Sequence, residues 1–128
     1  MSETTLRRIG WALSALFALF MLAASAAPKL FGMPITTEIM TGLGWPDAPI
    51  FLIGLMEVAL TLLFLFPPTA LLGAVLMTAL LGGAIATNLQ GHAPLFGNTL
   101  FGTYLGAVMW LALTLRDPRI RAVFPLVR

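Results

Sequence analysis

Long apolar runs alternate with short segments rich in glycine and proline. Crossing a bilayer as a helix takes about 20 mostly apolar residues. Four stretches meet or approach that length: about Ile9 to Ala27, Pro49 to Phe66, Thr69 to Leu89 and Asn98 to Leu115. Each is apolar on all sides rather than along one stripe, the pattern of a membrane span and not of a surface helix. The expected fold class is therefore all-α, an integral membrane four-helix bundle forming a single domain over residues 1–128.

The breaks predict how the spans connect. Pro67-Pro68 directly follows the second run. Neither residue has a backbone N–H, and the pair suits a tight turn at the start of a helix. Spans two and three should form an antiparallel hairpin with almost no loop. The first connection, Pro28 to Ala48, carries Gly32, Pro34, Gly42, Gly44 and Pro46 among Phe31, Met33, Ile35, Ile39, Met40 and Trp45. So apolar a loop predicts a segment at the membrane interface, with a short helix near Thr37–Thr41. The third connection, Gln90 to Gly97, holds His92 and Pro94.

Composition supports the membrane reading. The chain is 59% hydrophobic and 9% charged, where soluble domains carry roughly 25% charged residues. The net charge of +2 does not indicate nucleic acid, because the basic residues form no stripe with interleaved aromatics. They do indicate orientation. Arg7 and Arg8 precede span one, and Arg116, Arg119, Arg121 and Arg128 follow span four. Only Lys29 lies in a loop on the other side. The positive-inside rule then puts both termini in the cytoplasm of a multi-pass cell-membrane protein, with a bacterial-type inner membrane expected. Trp11, Trp45 and Trp110 lie near span ends, where aromatic anchors are expected. Arg7-Arg8, the first apolar run and Ala24-Ser25-Ala26 also resemble a signal peptide. The run, at about 19 residues, exceeds the usual 7–15-residue core of such peptides, so it is read as a span.

Glu57 is the first candidate for chemistry. An acid near the bilayer centre costs roughly 2.5–3.5 kcal/mol, and such groups usually face the interior and mark a site. The alternative is a structural residue hydrogen-bonded to a neighbouring helix. Glu57 stands eight residues beyond Pro49, or roughly 12 Å along a helix, which places it in the outer half. Ser25, Thr87, Asn88, Thr99, Thr103 and Tyr104 sit at similar or shallower depth. Lys29, Gln90, His92 and Asn98 stand at the mouth, and the inner half offers only Ser14, Thr69, Thr78 and Thr114. This asymmetry predicts a polar pocket open to the outer face, floored by Glu57 and closed below by apolar packing. Its expected ligand-binding residues are Glu57, Tyr104, Asn88, Lys29 and His92. Lys29 reads first as an interfacial anchor whose stem can snorkel; direct pairing with Glu57 needs an offset of about a helical turn. His92 has neither a second histidine nor a cysteine to share a metal, so no metal site is expected. Gly102 and Gly106 on span four, and Gly82-Gly83 with Ala86 on span three, offer small faces for packing within the chain or between copies. No phosphate loop, paired carboxylates or Ser/His/Asp spacing points to a reaction.

Several strings in order give a family resemblance: Pro28-Lys29-Leu30-Phe31-Gly32, Gly54-Leu55-Met56-Glu57, Pro68-Thr69-Ala70-Leu71-Leu72-Gly73-Ala74, Gly82-Gly83-Ala84-Ile85-Ala86-Thr87, Trp110 and Arg116-Asp117-Pro118-Arg119. From Leu6 to Pro125 the chain resembles the DoxX-like membrane proteins. The family takes its name from a subunit linked to thiosulfate:quinone oxidoreduction. The resemblance implies a four-helix membrane bundle, a membrane redox setting and a quinone as the cofactor to consider. Three functions are weighed. The first is a module that binds a small amphipathic or quinone-like ligand in the outer-half pocket, beside a redox partner or a second copy. The others are a small proton-coupled transporter and a structural or assembly factor that holds no ligand. The strong basic bias and the single membrane acid count against the transporter.

Overall fold

The computed structural model describes residues 1–127, so Arg128 of the C-terminal basic group lies outside the described residues. It is all-helical, with no strand among the described residues. Helix α1 (Glu3–Leu19) continues through a π-helical stretch (Phe20–Ala26) into α2 (Ala27–Leu30). Then come α3 (Pro34–Gly42), α4 (Ile50–Leu65), a 3₁₀ turn (Pro67–Thr69), α5 (Ala70–Gln90), a second π turn (Leu95–Thr99), α6 (Phe101–Arg116) and α7 (Pro118–Val123). Three helical runs, Glu3–Leu30, Pro67–Gln90 and Leu95–Arg116, are long and apolar enough to cross a membrane, and Ile50–Leu65 is a shorter apolar helix.

Span one runs past its expected end. Pro28 would normally stop a helix, because it lacks an N–H and its ring crowds the carbonyl four residues back. Here the preceding turns widen into the π-helix, and Ala27 N–H bonds to the carbonyl of Leu22, five residues back. That wider turn makes room for the ring. Lys29 therefore lies on a helix and not in a loop.

The Pro67-Pro68 hairpin forms as expected. Thr69 Oγ1 donates to the carbonyls of Leu63 at 2.8 Å and Phe66 at 3.2 Å. Gly73 brings α5 against the end of α4 so closely that a Cβ there would overlap the backbone of Phe64. The rest of the packing runs α1 on α6, α5 on α6, and α4 on the π-helical stretch. Gly102 lets α6 approach α5, where a Cβ would stand 2.9 Å from Ile85 Cγ1. Gly82 and Gly83 face open space, so this small face of α5 is free of intramolecular packing. Helix α3 brackets the expected short helix, and none of its residues is fully buried. Ile35 and Ile39 are exposed on it.

The termini meet at one end: Arg121 Nη2 donates to both carboxylate oxygens of Glu3 at 2.6 Å. Helix α7, too short and too polar to stand out in the hydrophobic pattern, starts on Asp117 as N-cap with Pro118 in the first turn. The hydrogen bond from Arg119 is the main cause that holds the Asp117 carboxyl below its usual range.

Candidate functional site

The buried faces of the long helices follow helical spacing. They are Gly10, Ser14, Phe17, Ala18 and Met21; Gly54, Glu57, Thr61 and Phe64; Ala70, Gly73, Ala74, Met77 and Leu81; and Met109, Ala112, Leu113 and Arg116. Three of these faces carry polar or charged groups into the interior. Each such group must find a partner within the protein, because lipid supplies none.

The first cluster joins α1–α2 to α4. Ser25 and Lys29 are four residues apart and so share a helix face. Glu57 lies opposite. Ser25 Oγ donates to Glu57 Oε1 at 2.8 Å. Lys29 Nζ stands 3.1 Å from Oε1 and 3.3 Å from Oε2, and also donates to Ser25 O at 3.0 Å and Ser25 Oγ at 3.1 Å. Gly54, one turn before Glu57, permits this approach: a Cβ there would stand 3.0 Å from Lys29 Cβ and 3.1 Å from Leu30 Cδ2. Lys29 thus pairs with Glu57 and is not simply an interfacial anchor. The carboxylate is buried but not sealed, its side chain retaining 8% exposure and that of Lys29 20%. Below it, Thr61 Oγ1 donates to the Glu57 carbonyl at 2.6 Å.

The other expected ligand-binding residues, Tyr104, Asn88 and His92, do not join this cluster. Tyr104 Oη donates to Phe96 O and Asn88 Nδ2 to Ala84 O, each at 2.8 Å. Gln90 Nε2 donates to Leu43 O at 2.7 Å, tying α5 to the loop after α3. His92 is exposed in a turn with φ of 58°. A shallow groove near that end is lined by Gly44, Trp45, Ala86, Thr87 and Gln90. Among the described residues, no three His, Cys, Asp or Glu side chains group to hold a metal ion.

A second cluster lies toward the end that holds the termini, and the sequence pattern does not reveal it. By sequence, Arg116 is an orientation signal just beyond span four. In the structure its side chain turns inward and is buried. Nη1 donates to Ser14 Oγ at 2.8 Å, Ser14 Oγ in turn donates to Gly10 O at 2.8 Å, and Nη2 donates to the carbonyl of Phe64. The guanidinium lies 4.2 Å from the Trp11 ring centroid and 4.5 Å from that of Phe64. Its counter-charge is the end of a helix. The last carbonyls of α4 have no partners within their own helix and carry the negative end of its dipole. Phe66 N takes Leu62 O, Thr69 Oγ1 takes Leu63 O, and Arg116 takes Phe64 O. Arg116 therefore caps α4 from another helix. Gly10 makes the crossing possible, since a Cβ there would stand 2.5 Å from Arg116 N.

An all-helical chain with three membrane-length apolar helices, and an ion pair buried between two helical segments, belongs to the class of small membrane proteins. Within that class, the DoxX-like family model matches residues 12–112, and the chain belongs to the DoxX-like family. No curated protein and no solved structure matches it.

Proposed function

We propose that the chain is a four-helix bundle spanning a bacterial-type inner membrane with both termini cytoplasmic. We further propose that it binds a small amphipathic, quinone-like ligand at Ser25–Lys29–Glu57, as an accessory to a membrane redox system. The observation that carries this reading is the buried ion pair. Two charges taken out of water cost more than their attraction reliably returns, so a buried pair is weak evidence for stability alone. Ionisable groups inside a membrane most often mark a site. With the termini inside, the pair sits in the outer half, near enough to the interface for the head of an amphiphile to reach it while its tail stays in lipid. Ligand sites between the helices of bundles are common.

One observation favours a second reading, a structural or assembly factor: no buried side-chain nitrogen or oxygen among the described residues lacks a hydrogen-bond partner. A cluster satisfied from within can act as a fastener between helices. A proton-coupled transporter draws less support, because the buried apolar side chains of Phe17 and Met21 separate Ser14 of one polar cluster from Ser25 of the other along the first helical run.

Native mass spectrometry of the protein released from its own membrane, wild type beside Glu57→Gln, separates the readings. A defined small molecule on the wild type, depleted on the variant, is the expected result. Two equally bare proteins, or two carrying only bulk lipid, would overturn ligand binding and favour the structural reading.

A further inference from the structure

The hydrogen bonds around Glu57 leave spare capacity of one kind only. An ammonium group has about three protons to give and no lone pair to offer. Lys29 Nζ already faces four acceptor atoms: Ser25 O, Ser25 Oγ, Glu57 Oε1 and Glu57 Oε2. The single hydroxyl proton of Ser25 goes to Oε1 at 2.8 Å. No donor in the cluster is left over. A carboxylate accepts at about four lone-pair positions and donates nothing. Oε1 receives two donors, while Oε2 receives only the longest contact of the set, 3.3 Å from Lys29 Nζ. The unused capacity is therefore an acceptor, and it lies on the less occupied oxygen of a group that retains some exposure.

We infer that this site selects a ligand presenting a hydroxyl donor: a hydroquinone or related hydroxyl-bearing amphiphile, and not the oxidised carbonyl form. The inference rests on the amphiphile-binding reading above and narrows it. A hydroxyl gives its proton to Glu57 Oε2 without disturbing the Lys29 pair. A quinone carbonyl has only lone pairs. Facing the carboxylate it would leave two acceptors opposed, or it would have to pull Lys29 from its partners. Sites built to hydrogen-bond a substrate hydroxyl discriminate strongly against analogues that lack it, because their buried polar groups are then left unpaired.

The test measures binding of three probes to the full chain in detergent by equilibrium dialysis under reducing, oxygen-free conditions for the reduced forms. The probes are a decyl hydroquinone, the matching decyl benzoquinone, and the hydroquinone dimethyl ether, which cannot donate and has no redox chemistry. The chain has no cysteine, so thiol addition to the quinone does not confuse the comparison. The hydroquinone should bind at least about tenfold tighter than either other probe, the worth of one hydrogen bond to a charged acceptor. In Glu57→Gln the amide can both donate and accept, so the preference should collapse. Circular dichroism checks that the variant folds. Quinone or dimethyl ether binding within about threefold of the hydroquinone would overturn the inference while leaving amphiphile binding in place. Failure of all three probes to bind would overturn both.

Discussion

Among the described residues Arg116 and Glu57 are the two buried charged residues, and each uses a different kind of counter-charge. Glu57 has an ammonium group; Arg116 has the carbonyl end of α4 and two aromatic faces. Removing Arg116 leaves the Phe64 carbonyl without its cap and Ser14 without its donor. Arg116→Met should therefore destabilise the protein by about 2–4 kcal/mol, in the range for losing charged hydrogen bonds at a buried site. Arg116→Lys should recover only part of this, because a single ammonium cannot replace a fork that reaches two acceptors and stacks on rings. Thermal unfolding in detergent measures both; a Met variant within about 0.5 kcal/mol of wild type would remove Arg116 from the role of helix cap. Glu57 is legible in the sequence because it is the one acid inside an apolar run. Arg116 is not, because a basic residue ending a span is also what the positive-inside rule leads one to expect. Only the fold shows that the end of α4 lies within its reach.

At the scale of elements, glycine and proline decide how closely the helices approach. The tight turn at Pro67-Pro68 can be read directly, since proline chemistry is local. The passage of α1 through Pro28 cannot, because the π-helical widening is stabilised by tertiary contacts: Lys29 and Ser25 reach Glu57 together only if the helix continues past the proline. Nor does the sequence distinguish glycines that face a neighbour from those that do not. Gly73 lies against the backbone of Phe64, whereas Gly82 has nothing within 4 Å of where a Cβ would stand. Gly73→Ala should force α4 and α5 apart and cost about 1–3 kcal/mol, as overpacking does. Gly82→Ala should be neutral or stabilise by up to about 1 kcal/mol, the helix-propensity difference between the two residues. Paired thermal unfolding of the two variants checks the contrast, and equal destabilisation by both would refute the assigned α4–α5 packing.

For the whole molecule, the question is how many times the chain crosses the membrane. The Glu3–Arg121 ion pair joins the start of α1 to α7, which accords with the even number of crossings in the proposed topology. Three helical runs are long and apolar enough to cross, and the proposed four-span topology asks α4 to supply the fourth. Its 16 residues rise only about 24 Å, short of a hydrocarbon core of about 30 Å. A short span is accommodated by local thinning of the bilayer or by its flanking residues; here those are Pro49 at one end and the Pro67–Thr69 turn at the other. The absence of native cysteine makes the count testable with single introduced thiols at exposed positions. If α4 crosses, Thr41→Cys and His92→Cys should both react with a membrane-impermeant maleimide added to intact cells, and Pro68→Cys, exposed in the turn between α4 and α5, should not. Ser2→Cys and Ala122→Cys should react only after the cells are opened. Labelling of position 68 from outside together with 41 and 92 would put α4 and α5 in a re-entrant hairpin, and labelling of positions 2 and 122 in place of 41 and 92 would put the ends on the opposite face. Labelling of position 41 without position 92 would mean that the hairpin crosses only once. The basic residues favour ends that react only after the cells are opened: of the seven, all but Lys29 lie before span one or after span four, and Lys29 is held within the protein by Glu57.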